Sequence, residues 1–221
     1  MIAITFALPA ESSGLLRLLR DKIDNQEIKI LHTGVGKKIC ATRIDNFLQR
    51  SQPRYLIASG FAGGVKEDFR AGDLFLAENF SDRELLARAQ RVLGGQAIRI
   101  GKLVTTTTMI DSVAERQEMA RSQGAMAVDM ETETIAQACT ARGIPLLSLR
   151  VISDTPREPF PAPPAVLFDI EQQKTDFAKL SGYLFKHPTA LPRLIRFSRQ
   201  IARARTNLSD ALVMLVREVQ V

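Results

Sequence analysis

Tyr55-Leu-Ile-Ala-Ser-Gly-Phe-Ala-Gly-Gly-Val65 is the stretch on which the fold turns. Its first part, residues 55–59, is a short run with almost no polar interruption and reads as a strand buried on both faces. Glycine then recurs three times, where a buried strand should end. Glycines there let a backbone approach a ligand closely and present bare N–H groups. In open α/β sheets, ligands bind beyond the carboxyl ends of the strands.

Working outward, residues 2–7, 28–31, 74–77, 98–106 and 145–152 read as further strands. Residues 11–23, 37–49, 82–92, 112–122 and 130–142 carry helical patterns between them. This alternation predicts an α/β chain with a largely parallel sheet covered by helices on both faces. Gly34 and Gly36 mark a strand-to-helix turn. Asp111 or Ser112 can cap the fourth helix, with Glu115 suitably placed behind it. Gly143 and Pro145 separate the fifth helix from the last strand. Residues 155–164 are Pro-rich and exclude regular structure. Residues 165–221 form a tail with helical stretches at 172–185 and 191–219, separated by His187-Pro188. In the second, Leu194, Phe197, Ile201, Leu208, Leu212 and Leu215 recur near helical spacing, for packing on the domain or on a neighbouring chain. The whole of residues 1–221 is expected to be one domain.

The composition is that of an ordinary globular chain: 45% apolar and 24% charged among 221 residues. No apolar run reaches the roughly 18 residues of a membrane span, and the opening residues read as a strand rather than a secretory leader. Two cysteines, Cys40 and Cys139, and two histidines, His32 and His187, argue for a reduced setting and against a structural zinc site. No metal or other cofactor is expected. The net charge of +6 is concentrated late in the chain. Lys174, Lys179, Lys186, Arg193, Arg196, Arg199, Arg203 and Arg205 face only Asp176 across that segment. Such a face is either simply solvated or drawn to anions such as a charged membrane surface. Aromatic residues do not interleave with the charges, so a nucleic-acid partner is not expected. The expected setting is cytoplasmic, at most peripheral to the inner membrane.

Two glycine turns differ in content. Thr33-Gly-Val-Gly-Lys37 lacks the first glycine of a nucleotide-phosphate loop, and Ile39 stands where a dinucleotide fingerprint needs its third glycine. It reads as a tight turn. Around the glycines after Ser59, Phe61, Ala62 and Gly63 are candidate binding residues. The acids are sharper evidence. Glu11 follows the first strand, Asp129-Met-Glu131 lies where residues 125–128 pass into a helix, and Ser153-Asp154 ends the last buried run. Carboxylates at strand ends can accept hydrogen bonds from sugar hydroxyls or act as acid and base. Capping of the following turns is the other role open to Asp129 and Asp154, and a helix N-terminus the other role open to Glu131.

Ala7-Leu-Pro-Ala-Glu11, Thr33-Gly-Val-Gly-Lys37, Ser59-Gly-Phe-Ala-Gly-Gly64, Gly72-Asp73, Ala127-Val-Asp-Met-Glu131 and Arg150-Val-Ile-Ser-Asp154 together resemble the methylthioadenosine/S-adenosylhomocysteine nucleosidases. These belong to the nucleoside phosphorylase superfamily. The resemblance spans about residues 1–154, with a gap. It implies a three-layer phosphorylase/hydrolase-like fold with a mixed, largely parallel sheet, a purine nucleoside substrate and a homodimer. It implies that Glu11 activates the attacking water and that Met130 and Glu131 form the ribose site. It further implies that Asp154, supported by Ser153, protonates the purine at N7. The bond breaks with cationic character on the sugar and negative charge on the base, and these residues meet both.

The chain also departs from that pattern. Phe61 stands where these nucleosidases commonly carry a small hydroxyl residue. The stretch between Asn79 and Gly101 is too short for their purine-side loop. The tail, with Lys186-His-Pro-Thr-Ala-Leu-Pro192 before a basic helix, resembles the hopanoid-associated phosphorylase subgroup, which implies an adenosyl lipid as substrate. Phosphorolysis is the alternative to hydrolysis, but the loop around Glu11 offers no Arg for phosphate. Arg150, alternating with Leu149 and Val151, is expected to pair with an acid. A non-catalytic nucleoside-binding protein is the reading from another class, suggested by Phe61 and the short loop.

Overall fold

The computed structural model describes residues 1–20, 28–169, 173 and 177–218. β1 (Ile2–Phe6), α1 (Pro9–Arg20), β2 (Ile28–His32) and α2 (Lys37–Arg50) open the chain. β3 (Tyr55–Gly64), β4 (Leu74–Ala77), α3 (Arg83–Leu93), β5 (Ile98–Gly101) and β6 (Leu103–Thr105) follow. Then come α4 (Val113–Gln123), β7 (Ala127–Asp129), α5 (Thr132–Thr140) and β8 (Leu146–Asp154). The tail holds α6 (Pro164–Leu167), α7 (Phe177–Lys186) and α8 (Ala190–Glu218).

The strands form one mixed sheet in the order β2-β1-β3-β8-β4-β5, with β7 on the end of β3 and β6 beside β7. β1, β2, β3 and β8 run parallel, and antiparallel pairing is confined to β4 with β8 and β7 with β3. This is the expected class. Side chains alternate across the sheet with the period of two that a strand imposes. Ile2, Ile4 and Phe6 pack with Ile57, Leu147 and Leu149 beneath Leu15 of α1, Leu93 of α3 and Leu208, Leu212 and Leu215 of α8. Ala3, Leu56 and Ala58 face the other way, against Cys40, Ile44 and Leu48 of α2 and Ile135 and Cys139 of α5. The result is three layers, helix on sheet on helix.

Local chemistry starts and stops the elements where expected. The Ser112 hydroxyl caps α4 by accepting from the Glu115 N–H at 3.3 Å. Asp82 caps α3 through the N–H groups of Glu84 and Leu85. Gly143 takes a positive φ of 63° after α5. The first predicted helix and both tail helices run in part into positions outside the described residues.

Two expectations need correction. The strand does not end at Ser59: β3 continues to Gly64, paired with β8 and β7. Residues 98–106 are not one strand. β5 stays beside β4, whereas β6 swings across to β7, and the exposed Lys102 between them gives its carbonyl to Met126. The stripe on α8 packs on the domain as expected: Leu208, Leu212 and Leu215 are buried on the sheet, while Leu191 and Ile195, outside that stripe, are exposed.

Candidate active site

Three strand ends and one turn converge on a cavity of about 380 Å³. It lies at the carboxyl ends of β1, β3 and β8, as the parallel topology predicts. All eight site residues expected from sequence line it: Glu11, Phe61, Ala62, Gly63, Met130, Glu131, Ser153 and Asp154.

Glu11 lies in the first turn of α1, just past β1. One carboxylate oxygen accepts from the Leu8 N–H at 2.8 Å and the other from the Phe61 N–H at 3.0 Å. Burial raises its proton affinity above the usual carboxylate range, and these two N–H groups pull it back down. Gly60 makes the second contact possible. Its φ is +138°, and a Cβ there would lie 2.9 Å from both Glu11 Oε1 and Arg150 Nη1.

Asp154 and Ser153 share the cavity because of a bulge. The β3–β8 register steps from Ala62 opposite Ile152 to Gly63 opposite Asp154, so Ser153 is the extra residue. In a regular strand, neighbours point to opposite faces; the bulge re-aims one of them. The Ser153 hydroxyl donates to Asp154 Oδ1 at 2.5 Å. The other Asp154 oxygen is held in a buried ion pair by Arg116 of α4. Burial raises the proton affinity of Asp154, and the Arg116 charge opposes that rise.

Glu131 sits at the start of α5 and accepts from the Gly36 N–H at 2.8 Å. The turn at Gly34 and Gly36 therefore serves this carboxylate. Burial, with the nearby negative charge of Asp129, pushes the Glu131 pKa up to about 7. Met130 packs with Ala7 and Val35 to form an apolar floor beside it.

Asp129 borders the cavity but is fully engaged elsewhere. Thr105 Oγ1 donates to it at 2.8 Å, Arg150 Nη2 lies 2.8 Å away, and the N–H and hydroxyl of Thr132, at the start of α5, both donate to it. Holding the turn that follows it, one of the two roles open from sequence, is the role it fills. Arg150 pairs with an acid, as expected, and ties the knot to β3 by donating to the Ser59 carbonyl at 3.0 Å.

Sequence reasoning missed two groups. Arg116 carries no local signal, because its partner is 38 residues away. The apolar side of the cavity comes from Met109 and Ile110 before α4 and from Phe160, Phe168, Phe197 and Ile201 of the Pro-rich turn and tail. The helical stripe in α8 predicted burial of Phe197 and Ile201 but could not say that they border a cavity. Among the described residues, no cluster of His, Cys, Asp and Glu is disposed to hold a metal ion. No helix among them is long and apolar enough to cross a membrane.

Comparison with known proteins places the chain in a family. The sequence model of the phosphorylase superfamily matches residues 6–84 and 78–185. A 5'-methylthioadenosine/S-adenosylhomocysteine nucleosidase of Staphylococcus haemolyticus is 26% identical over 167 residues, covering 63% of this chain and 73% of that protein. One from Haemophilus influenzae is 27% identical over 165 residues, covering 62% and 72%. Among solved structures, futalosine hydrolase of Helicobacter pylori superposes with a TM-score of 0.74 at 17% identity, covering 98% of this chain and 97% of that one. An adenine-bound protein of Borrelia burgdorferi, described as a putative nucleosidase of the same methylthioadenosine class, superposes at 0.72 with 21% identity, covering 98% and 99%. At these identities the structural likeness is one of fold, and the sequence match fixes the family: the chain belongs to the phosphorylase superfamily.

Proposed function

We propose that this protein hydrolyses the N-glycosidic bond of an adenosine-type nucleoside. The observation that carries the reading is the meeting of Glu11, Glu131 and Asp154, from three separate strand ends, around one cavity with an apolar floor. In this reading Glu131 and Met130 seat the ribose, and Phe61, Ala62 and Gly63 border the base and the sugar. Asp154 gives its proton to the purine at N7 as the bond from C1′ to N9 breaks and its electron pair goes to the base. Glu11 takes the proton of the water that attacks C1′. The named activities of the similar nucleosidases support cleavage of an adenosine-type nucleoside.

Water is favoured over phosphate as the nucleophile. Among the described residues bordering the cavity there is no Lys or Arg to hold a phosphate dianion. Arg150 is committed to Asp129 and Ser59, and Arg116 to Asp154 and two carbonyls.

The substituent on the sugar 5′ carbon is read as large and apolar, such as the hydrocarbon of an adenosyl lipid like adenosylhopane. Phe160 and Phe197, edge to face at 5.8 Å, lead from the cavity toward the tail. At the junction of α7 and α8, Phe185 is 92% exposed, with Leu191 and Ile195 close by in sequence among Lys186, Arg193 and Arg196. Exposed apolar side chains in a basic stretch of sequence suit weak, salt-sensitive contact with an anionic bilayer. A homodimer belongs to the same reading.

A substrate panel tests it. Free adenine should appear from adenosine and its 5′-substituted analogues, fastest from those with a long apolar 5′ group. Nucleoside binding without base release would make the protein a non-catalytic binder. Preference for adenosine or methylthioadenosine would remove the lipid substrate.

A further inference from the structure

We infer that Arg116 is a positioning residue that sets how readily Asp154 gives up its proton and that stabilises the carboxylate left behind. The inference rests on the reading of Asp154 as the acid.

The geometry is specific. Arg116 is 1% exposed and makes contacts on three sides. Its guanidinium donates to the Gly64 carbonyl of β3 at 2.7 Å, to the Ile110 carbonyl before α4 at 2.7 Å, and to Asp154 Oδ2 at the end of β8. Two carbonyls thus fix the fork so that its remaining donor meets the acid. Arg116 does not border the cavity, whereas Asp154 does. It therefore acts through Asp154 and not on the substrate.

The chemistry follows from burial. A carboxyl group withdrawn from water with no countercharge stays protonated and resists becoming an anion. Such a group can donate a hydrogen bond to the base but is a poor proton donor. Bond cleavage needs the full transfer: the proton moves from Asp154 to N7, and Asp154 becomes a carboxylate. A buried cation already in contact with Oδ2 stabilises that product without reorganisation. The Ser153 hydroxyl on Oδ1 assists. Asp111, in the loop before α4, opposes Arg116 by adding negative charge. On the β3 side the facing residue is Gly63, which brings no charge. The proton that Glu11 takes from water balances the one that Asp154 loses, and exchange with solvent resets both.

The pH profile of kcat discriminates this role from a structural one. Asp154 must be protonated to act, so activity falls as pH rises through its pKa. Removing the cation favours the protonated form. In Arg116→Gln the alkaline limb should move up by about one to three pH units. The plateau of kcat should drop about ten- to a hundred-fold, with KM changed less than about three-fold. Arg116→Lys, which keeps the charge, should move the limb less than half as far. Where Arg116→Gln does not fold, Arg116→Met keeps the buried volume without the charge and is read the same way. Carbon-13 NMR of the aspartate carboxyl groups, with Asp154→Asn for assignment, follows the titration without turnover. It therefore judges the Arg116–Asp154 link even if no nucleoside is cleaved. An unmoved limb and an unmoved Asp154 titration in a folded, charge-free variant would overturn the inference.

Discussion

The main-chain N–H of Phe61 donates to the carboxylate of Glu11 at 3.0 Å, joining residues fifty apart in sequence. Strand β3 thereby holds the group read as the base, and Gly60 is what lets it approach. Gly60→Ala forces a Cβ against Glu11 Oε1 and Arg150 Nη1 at a φ that side chains rarely adopt. We expect a loss of about 1–3 kcal/mol in stability from the strained backbone. Turnover should fall more than ten-fold in whatever protein folds. Urea unfolding and adenine release measured on one preparation check both.

Glu11→Gln and Asp154→Asn keep the shape of each site and remove its proton chemistry. Each should lower turnover by about two to four orders of magnitude. Folding should be nearly unchanged, by circular dichroism and thermal melting. Retained turnover in both variants removes the assigned acid and base.

The Glu131 pKa, about 7 against a usual 4.5, has a consequence for stability. A carboxyl whose proton affinity rises on folding contributes stability that is whole below its unfolded pKa. That stability is lost as pH climbs through the folded value. Wild-type protein should therefore lose thermal stability between about pH 5 and pH 8 by more than Glu131→Gln does. Melting curves across that window measure the difference. An equal slope in both proteins would show that Glu131 does not carry the effect.

Phe197 and Ile201 border the cavity from the half of α8 that is not buried on the sheet. Phe197→Ala should raise KM for a long-chain 5′-alkyl adenosine analogue about ten-fold or more, since each lost apolar contact in a pocket is worth about 1–3 kcal/mol. KM for adenosine should change less than about two-fold. Equal effects on both substrates would place Phe197 at the shared part of the site.

The same tail predicts salt-sensitive binding to anionic vesicles. Each basic side chain near such a surface contributes on the order of 1 kcal/mol. The double substitution Arg193→Glu and Arg196→Glu should release the protein at low salt, as high salt should release the wild type. Co-sedimentation reads both; indifference to salt and to the substitutions would end the membrane reading.

Much of this was legible in the residues because the signals are local. Apolar runs with acids at their ends mark strands and strand-end carboxylates, and Ser112 with Glu115 marks a helix start. What stayed hidden depends on register or on long range. Nothing in Arg150-Val-Ile-Ser-Asp154 announces the bulge that turns Ser153 and Asp154 to one side. Residues 98–106 read as one strand because strand-favouring residues lie on both sides of Gly101-Lys102, where the chain changes neighbours. Arg116 lies among other charges in α4, and its burial depends on where β3 and β8 end. Asp129 and Glu131 look alike in sequence, and only the positions of Thr132 and Arg150 turn the first into a structural group.

The most direct test of the central claim is the fate of the sugar in phosphate-free buffer. Purified protein is incubated with an adenosine-type nucleoside, and base and sugar are quantified together, with and without added phosphate. The account predicts free adenine and free sugar in equal amounts, at a rate that phosphate does not change. Strict phosphate dependence with a sugar 1-phosphate as product would contradict hydrolysis, and no release under either condition would contradict catalysis.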